Sequence, residues 1–127
     1  MSMTIRIPDV PPSQNSWNRL NYVSKGKYIK KSIKRQWLGS KKKRGYFHNY
    51  GYEWRQNHEG YARKVVIIFC FNNKIRHDID NYAYFKPLLD GLVNEGILKD
   101  DNSKAIRASY KIVLGAKKRE TVIELEE

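Results

Sequence analysis

Several features are scarce or absent in this chain of 127 residues, and each absence excludes a class of protein. Cys70 is the only cysteine, so no intrachain disulfide can form, and the apolar run from Val65 to Phe71 around it predicts a buried, unreactive thiol. No stretch approaches the ~20 apolar residues of a membrane span, and the first residues contain no long apolar signal segment. We therefore expect a cytoplasmic protein with no membrane partner.

The histidines do not form a recognisable zinc motif, and the cysteine does not form a nucleophile motif. His48, His58 and His77 lack a set of cysteine partners, and Cys70 has no candidate base among its apolar neighbours. His77 lies between a basic and an acidic residue, which favours a phosphate contact or a hydrogen-bonded surface position over a catalytic base. Zinc and thiol chemistry are therefore weak hypotheses for this chain.

Acidic residues are missing from residues 10–52, although these 43 positions contain 11 lysines and arginines. The whole chain has 25 Lys and Arg against 13 Asp and Glu, a formal net charge of +12. Eight aromatic residues are interleaved with the basic ones, as in grooves that bind a phosphate backbone and stack bases. The alternative is a solvated helix face whose aromatic residues belong to the core. The predicted nucleic-acid surface consists of Arg19, Lys30, Lys31, Lys34, Arg35, Lys41, Lys42, Lys43, Arg44, Arg76 and His77.

Four apolar segments predict strands in a single domain that spans residues 1–127. Thr4 to Ile7 alternates like a short strand, which Pro11-Pro12 ends. Lys64 to Phe71 is almost continuously apolar, which is typical of a central strand covered on both faces. Ala105 to Leu114 and Thr121 to Leu125 also alternate, and the short polar segment between them predicts a terminal antiparallel hairpin.

Two further segments have helical spacing. Tyr28 to Leu38 predicts a basic helix with a narrow apolar stripe, and Gly39 follows it as a stop. From Phe85 the apolar residues repeat at helical intervals up to Gly96. Lys41 to Tyr52 is rich in Lys, Gly, Asn and Tyr, and we expect it to be a loop that orders only on binding.

Carboxylates are concentrated after the predicted central strand, in contrast to the basic remainder of the chain. Asp78 and Asp80 are two residues apart, so on an extended segment both side chains point to the same side and can hold one hard cation. Asp100 or Asp101 would supply a third carboxylate. Magnesium suits such a site, because it often takes one or two protein carboxylates together with water and substrate phosphate. The alternative is structural, with Asp80 or Asn81 capping a helix and Asp100-Asp101 shaping a turn.

Four ordered motifs resemble the RusA-like Holliday junction resolvases, a family found in bacteria and their phages and prophages. Val10 to Asn15 resembles the PPSxN opening, and Arg76 to Asn81 resembles the R-x-D-x-D-N core. Lys86 to Leu92 is similar to K-x-x-x-D-x-L, and Gly96 to Asp101 is similar to G-x-x-x-D-D. Each motif is short, but their ordered combination covers nearly the whole chain.

The resemblance implies a homodimeric endodeoxyribonuclease that cuts four-way DNA junctions by paired nicks during recombination and repair. It implies an α/β (α+β) fold with a mixed β-sheet packed by helices, and Mg²⁺ as the cofactor, with Mn²⁺ as a substitute. Matched by position, the metal ligands are Asp78, Asp80 and Asp101, and the matching catalytic lysine is Lys86. A fixed cation in that place would neutralise charge on the scissile phosphate or position the attacking water.

The chain departs from the family pattern between Asn81 and Lys86, which are separated by four residues, two more than in the pattern. Two added residues rotate a continuous helix by about 200°. Pro87 argues against a continuous helix, because proline is tolerated in the first turn and disruptive inside a helix. We expect Tyr82 to Tyr84 to form an extra loop or irregular turn, with the regular helix beginning near Phe85.

Two other functions agree with the same residues. One is a non-catalytic nucleic-acid-binding module whose aspartates are structural. The other is a metal-dependent nuclease that acts on another branched or single-stranded substrate, since a fold and a metal site do not determine the substrate.

Overall fold

A computed structural model describes residues 2–127, and in it α-helices pack on one side of a four-stranded mixed sheet, which confirms the predicted α+β domain. The strands are β1 (Ser2–Ile7), β2 (Lys64–Cys70), β3 (Arg107–Val113) and β4 (Glu120–Glu126). The helices are α1 (Gln14–Arg19), α2 (Gly26–Leu38), α3 (His48–Asn57), α4 (Asp80–Ala83) and α5 (Lys86–Asn94), with a 3₁₀ turn at Leu20–Tyr22. No helix in this part of the chain is long and apolar enough to cross a membrane.

The sheet order is β1-β4-β2-β3, so the predicted terminal hairpin is wrong. Strand β4 pairs antiparallel with both β1 and β2, whereas β3 pairs parallel with β2 at the sheet edge. Burial explains the arrangement. Thr121, Val122, Ile123 and Leu125 of β4 are buried and need neighbours on both sides, while β3 is mostly exposed and tolerates an edge.

Strand β2 lies inside the sheet, as predicted, but only one of its faces is fully buried. Val65, Ile67 and Phe69 are inaccessible to solvent, whereas Val66 and Ile68 are half-buried. The prediction of cover on both faces is therefore wrong. The core lies between the buried face and the helices, and side chains from β1, β2, β4, α2, α3 and α5 meet there in one apolar cluster.

Helices α2 and α5 confirm the two helical predictions. Trp37 of α2 is buried and Ile33 packs against the core, but Ile29 is 42 % exposed, so the apolar stripe covers only the C-terminal part of the helix. Gly39 ends α2 with a φ of 81°, and Gly96 has a φ of 74° just after α5. Both values lie in the left-handed region that glycine adopts without strain.

Residues 41–52 were predicted to be a loop, and this prediction is wrong for the second half of the segment, where α3 begins at His48. Phe47 and Trp54 are each 1 % exposed and belong to the core, and Tyr50 packs against it. The Trp54 indole N–H also donates a 3.0 Å hydrogen bond to the Gly60 carbonyl. Residues 47, 50 and 54 are spaced like one helix face, and burial of that face outweighs the weak helix propensity of the polar residues between them.

Candidate functional site

The chain between β2 and α5 contains two short helical segments separated by a break. Helix α4 is a single turn, and Phe85, with φ −71° and ψ 89°, leaves the helical region before α5 begins at Lys86. Pro87 lies in the first turn of α5, where its missing N–H costs nothing. The predicted interruption is confirmed, but it is shorter than expected, because Tyr82 and Ala83 belong to α4.

Asp78 and Asp80 are exposed carboxylates on this segment. Neither takes part in any of the ion pairs found in residues 2–127. Neither α4 nor α5 has a side-chain cap, since Ile79 and Phe85 occupy the cap positions, so the capping alternative for Asp80 or Asn81 is wrong. Both carboxylates are therefore free to interact with a cation.

Asp100 and Asp101 have different environments. The Asp100 carboxylate accepts hydrogen bonds from the Asp101 backbone N–H at 2.7 Å and the Asn102 side-chain amide at 2.9 Å, so it shapes the turn. Asp101 is half-buried and near Tyr110 of β3. Burial, and secondarily the negative charge of Asp101, raise the pKa of Tyr110. The turn-shaping alternative therefore applies to Asp100 and leaves Asp101 as the candidate ligand.

A row of aromatic rings connects the two acidic segments across the sheet. The Phe69 ring lies 6.2 Å from the ring of Tyr110 and 5.9 Å from that of Tyr82, measured between centroids. Tyr110 is the neighbour of Asp101, and Tyr82 follows Asp80 in α4. The core residue Phe69 thus packs against one neighbour of each acidic segment.

His77 is anchored at the start of the acidic segment. Its ring stacks on Phe71 with 3.8 Å between centroids, and its Nδ1 atom lies 2.9 Å from the hydroxyl oxygen of Tyr82. The other ring nitrogen, Nε2, is buried and has no hydrogen-bond partner within residues 2–127. His77 therefore packs as a hydrogen-bonded residue that fixes the segment before Asp78, whereas the neighbouring Arg76 is exposed.

The carboxylates do not form a preassembled three-ligand metal centre. Within the described residues 2–127, no three or more His, Cys, Asp or Glu side chains are close enough together to hold a metal ion. The ligand chemistry of Asp78 and Asp80 nevertheless fits Mg²⁺, which accepts one or two protein carboxylates and fills its other positions with water and phosphate. The extended segment predicted for these two aspartates is wrong, because Ile79 between them is helical, with φ −59° and ψ −35°, and Asp80 begins α4. As ligands of one cation, Asp78, Asp80 and Asp101 therefore stay predictions.

Four lysines of α2 form one side of a cavity of about 440 Å³. Lys27, Lys30, Lys31 and Lys34 are spaced i, i+3, i+4 and i+7, which places them on one helix face. The 3₁₀ turn and the residue after it, including Asn21, form the other side. Lys27 was not among the predicted binding residues, although its spacing from the other three lysines is a signal that identifies it.

Trp17 supports two of these lysines. The ammonium nitrogens of Lys30 and Lys34 lie 4.8 and 5.9 Å from the centre of the Trp17 ring, within the range of a cation–π interaction. The ring also packs edge-on against Phe85 at 5.5 Å. Trp17 therefore positions basic side chains, and its covered ring is a poor platform for stacking bases.

A second cavity of about 350 Å³ extends the basic surface towards α5. Lys34 and Trp17 line it together with Tyr84, Lys86 and Asp90. Lys34 lines both cavities, so they are neighbours, and we call the surface that they form the lysine groove (Lys27, Lys30, Lys31, Lys34 and Lys86). Lys86 lines the second cavity together with Lys34 and Asp90. None of the three candidate metal ligands lines either cavity.

The remaining predicted basic residues lie elsewhere. Lys41, Lys43 and Arg44 line a separate cavity of about 560 Å³ near His48 and Glu95. Arg19, Arg35 and Lys42 are exposed outside these cavities. Among the ion pairs of residues 2–127, none involves a lysine or arginine between positions 10 and 52. The positive charge of this region is therefore not neutralised within the described chain.

No protein-family model matches this chain, and no curated protein matches it significantly. The resemblance to RusA-like resolvases stays a prediction that rests on the four motifs.

Proposed function

We propose that the protein is a Mg²⁺-dependent endodeoxyribonuclease of the RusA-like type that resolves four-way DNA junctions in the cytoplasm during recombination and repair. The observation that carries this proposal is that one short segment contributes to both parts of the site. Helix α4 begins with the exposed Asp80, and Tyr84 and Lys86, directly after it, form a wall of the lysine groove. A strand bound in the groove would pass within about one helical turn of the carboxylate.

The distribution of charge supports the binding of a polyanion in the lysine groove. A polyanion is attracted to the groove because no acidic partner neutralises the lysines within the described residues, and it is repelled by the free carboxylates unless a cation lies between them. Asp78, Asp80 and Asp101 would hold the Mg²⁺, which would supply a bound water of lowered pKa and positive charge beside a phosphate oxygen. Lys34 would hold the DNA backbone, and Lys86, by its match to the family lysine, would offset the charge that develops on the reacting phosphate.

The proposed substrate requires two such sites. A four-way junction has approximate two-fold symmetry, so a homodimer with an isologous interface presents two identical sites to opposing strands. Hydrolysis at both sites would leave 5′-phosphate and 3′-hydroxyl ends that a ligase can join. Sedimentation of the purified protein tests the dimer directly, and a strictly monomeric chain that still cuts both strands together would contradict it.

Cleavage is tested with an immobile four-way junction, a linear duplex and a single strand, each with and without Mg²⁺. We expect paired nicks in the junction only, and only with Mg²⁺. Asp80→Asn is expected to bind the junction and not to cut it, because the amide retains the shape of the side chain and loses its charge. Asp100→Asn is the matched control, since it removes the same charge and its amide oxygen can still accept the hydrogen bond from the Asp101 backbone N–H.

One observation favours the second candidate, a non-catalytic nucleic-acid-binding module. The candidate ligands are not clustered in groups of three within residues 2–127, as a rigid metal centre would require. Equal binding with and without Mg²⁺, with no cleavage of any of the three DNAs, would support this module and contradict the nuclease.

A further inference from the structure

We infer that the lysine groove, with the exposed tyrosines Tyr22 and Tyr28 beside it, binds an unpaired segment of single-stranded DNA without any metal ion. This inference concerns α2 and the 3₁₀ turn, and it requires neither the carboxylates nor cleavage. It adds to the proposed nuclease a site for unpaired bases, such as those exposed where the arms of a junction open.

The positive charge of the groove favours binding of an anion. Lys27, Lys30, Lys31 and Lys34 share one helix face, and none has an acidic partner within 4.0 Å in residues 2–127. Lys30 donates a 2.7 Å hydrogen bond to the Asn21 side chain and lies over Trp17, so it is already held in place. Lys27 and Lys31 make no side-chain hydrogen bond within those residues, which leaves their ammonium groups available to phosphate oxygens.

The two cavities of the groove follow one another along α2, from Lys27 to Leu38. They measure about 440 and 350 Å³, and both volumes lie in the range of roughly 300–1,000 Å³ that holds small ligands. The walls are adjacent elements of the chain, the 3₁₀ turn and α2 in one part, and α2 and the start of α5 in the other. A single sugar-phosphate backbone that follows these two cavities would place phosphates near Lys27, Lys31 and Lys34.

Two rings beside the groove are unusually exposed. Tyr22 is 88 % exposed and lies between Asn21 and Val23, both of which line the groove. Tyr28 is 74 % exposed, follows Lys27, and precedes Lys31 by one helical turn. Bases in a duplex already stack on one another, so exposed rings at the edge of a phosphate-binding channel can stack only on unpaired bases. The combination of free ammonium groups and free rings therefore selects single strands.

The test measures binding in EDTA, so that metal-dependent steps cannot contribute. The probes are a fluorescent oligothymidylate of about 20 nucleotides, long enough to span the groove, and a duplex of the same length. The double variant Tyr22→Ala/Tyr28→Ala should weaken binding of the single strand roughly 25-fold, because each lost stacking contact weakens binding about fivefold. Its affinity for the duplex should stay within about twofold of the native protein's. Tyr52→Ala is the matched control, because Tyr52 on α3 is 62 % exposed and lines none of the cavities that form the groove.

The lysines are tested through the salt dependence of binding. Lys27→Gln/Lys31→Gln should make the slope of log K against log salt about 1.4 shallower for the single strand, because two phosphate contacts are lost. Lys111→Gln/Lys117→Gln removes the same charge from β3 and the β3–β4 connection and should leave that slope nearly unchanged.

Three results would overturn the inference. They are unchanged binding of the single strand by the tyrosine variant, an equal loss of duplex binding in that variant, and equal salt slopes for the two lysine pairs. The nuclease proposal fails separately, because a protein that never cuts DNA can still bind oligothymidylate through Tyr22 and Tyr28 in EDTA.

Discussion

At Gly91, helix α5 packs directly against α2 and the residue before α3. A Cβ atom added at Gly91 would lie 2.3 Å from the Trp37 carbonyl oxygen and 2.8 Å from Cδ2 of the Phe47 ring. Carbon and oxygen atoms normally approach to about 3.3 Å, so the Gly91→Ala variant must separate the two helices by about 1 Å. The α2–α5 contact also sets the spacing of Lys34 and Lys86 across the lysine groove.

Two opposing effects decide the magnitude of the Gly91→Ala change. Alanine is favoured over glycine inside a helix by about 1 kcal/mol. Overpacking a core costs about 1–3 kcal/mol, and a backbone oxygen that cannot rotate away places this site at or above the upper end. We expect a net loss of about 2 kcal/mol in the free energy of unfolding, which for 127 residues corresponds to a decrease in Tm of roughly 6–10 °C.

Urea unfolding followed by tryptophan fluorescence measures this loss, with thermal unfolding as a second probe. Gly60→Ala is the control, because the atom nearest to its added Cβ is a flexible carboxylate oxygen of Glu127 at 3.0 Å. The control should unfold within about 0.5 kcal/mol of the native protein. Equal or greater stability of Gly91→Ala, as helix propensity alone predicts, would refute the close packing of α2 and α5.

Three other predictions concern pH and the site. Burial raises the pKa of Tyr84 from 10.0 to about 12, so its neutral phenol stabilises the fold fully below about pH 10, and this contribution is lost as the pH rises towards about 12. Tyr84→Phe should flatten the decline of unfolding free energy over that range, measured by urea titration at each pH. Asp101→Asn should lower junction cleavage roughly 100-fold or more, whereas Asp100→Asn should stay within about threefold, in the same gel assay. Lys86→Gln should slow single-turnover cleavage about 100-fold by removing a fixed cation near the phosphate, with only a small loss of affinity.

The opposite results would contradict each point. Parallel alkaline declines for Tyr84→Phe and the native protein would exclude the buried phenol as their cause. Equal losses in the two aspartate variants would show that Asp101 has no special role as a ligand. A Lys86→Gln variant that binds weakly and cuts at the native rate would restrict Lys86 to DNA binding.

Local patterns in the sequence were sufficient to locate most elements. Helices α2 and α5 followed from the 3.6-residue spacing of their apolar residues, and the break before α5 followed from the position of Pro87. Strand partners did not follow, because β3 and β4 alternate in similar ways and only the depth of burial decides which one lies inside the sheet. Helix α3 was missed because its polar residues resemble a loop. The helix is stabilised by the core contacts of Phe47 and Trp54 with residues distant in the sequence, which local patterns do not reveal.

The candidate site was predictable to the same extent. The lysine face of α2 was identified from the sequence except for Lys27. The extended backbone predicted for Asp78 and Asp80 was wrong, because the chain is already helical at Ile79. The position of Asp101 relative to Asp80 was not predictable, because it depends on how α4 and β3 pack around the core residue Phe69.

The most direct test of the nuclease proposal is strand scission in an immobile four-way junction, labelled on opposing strands, by the native protein and by Asp80→Asn in Mg²⁺. We expect paired nicks with 5′-phosphate ends from the native protein, and intact DNA that stays bound by the variant. Equal cleavage by both proteins, or bound and uncut junction in both samples, would contradict a metal-dependent site at Asp80.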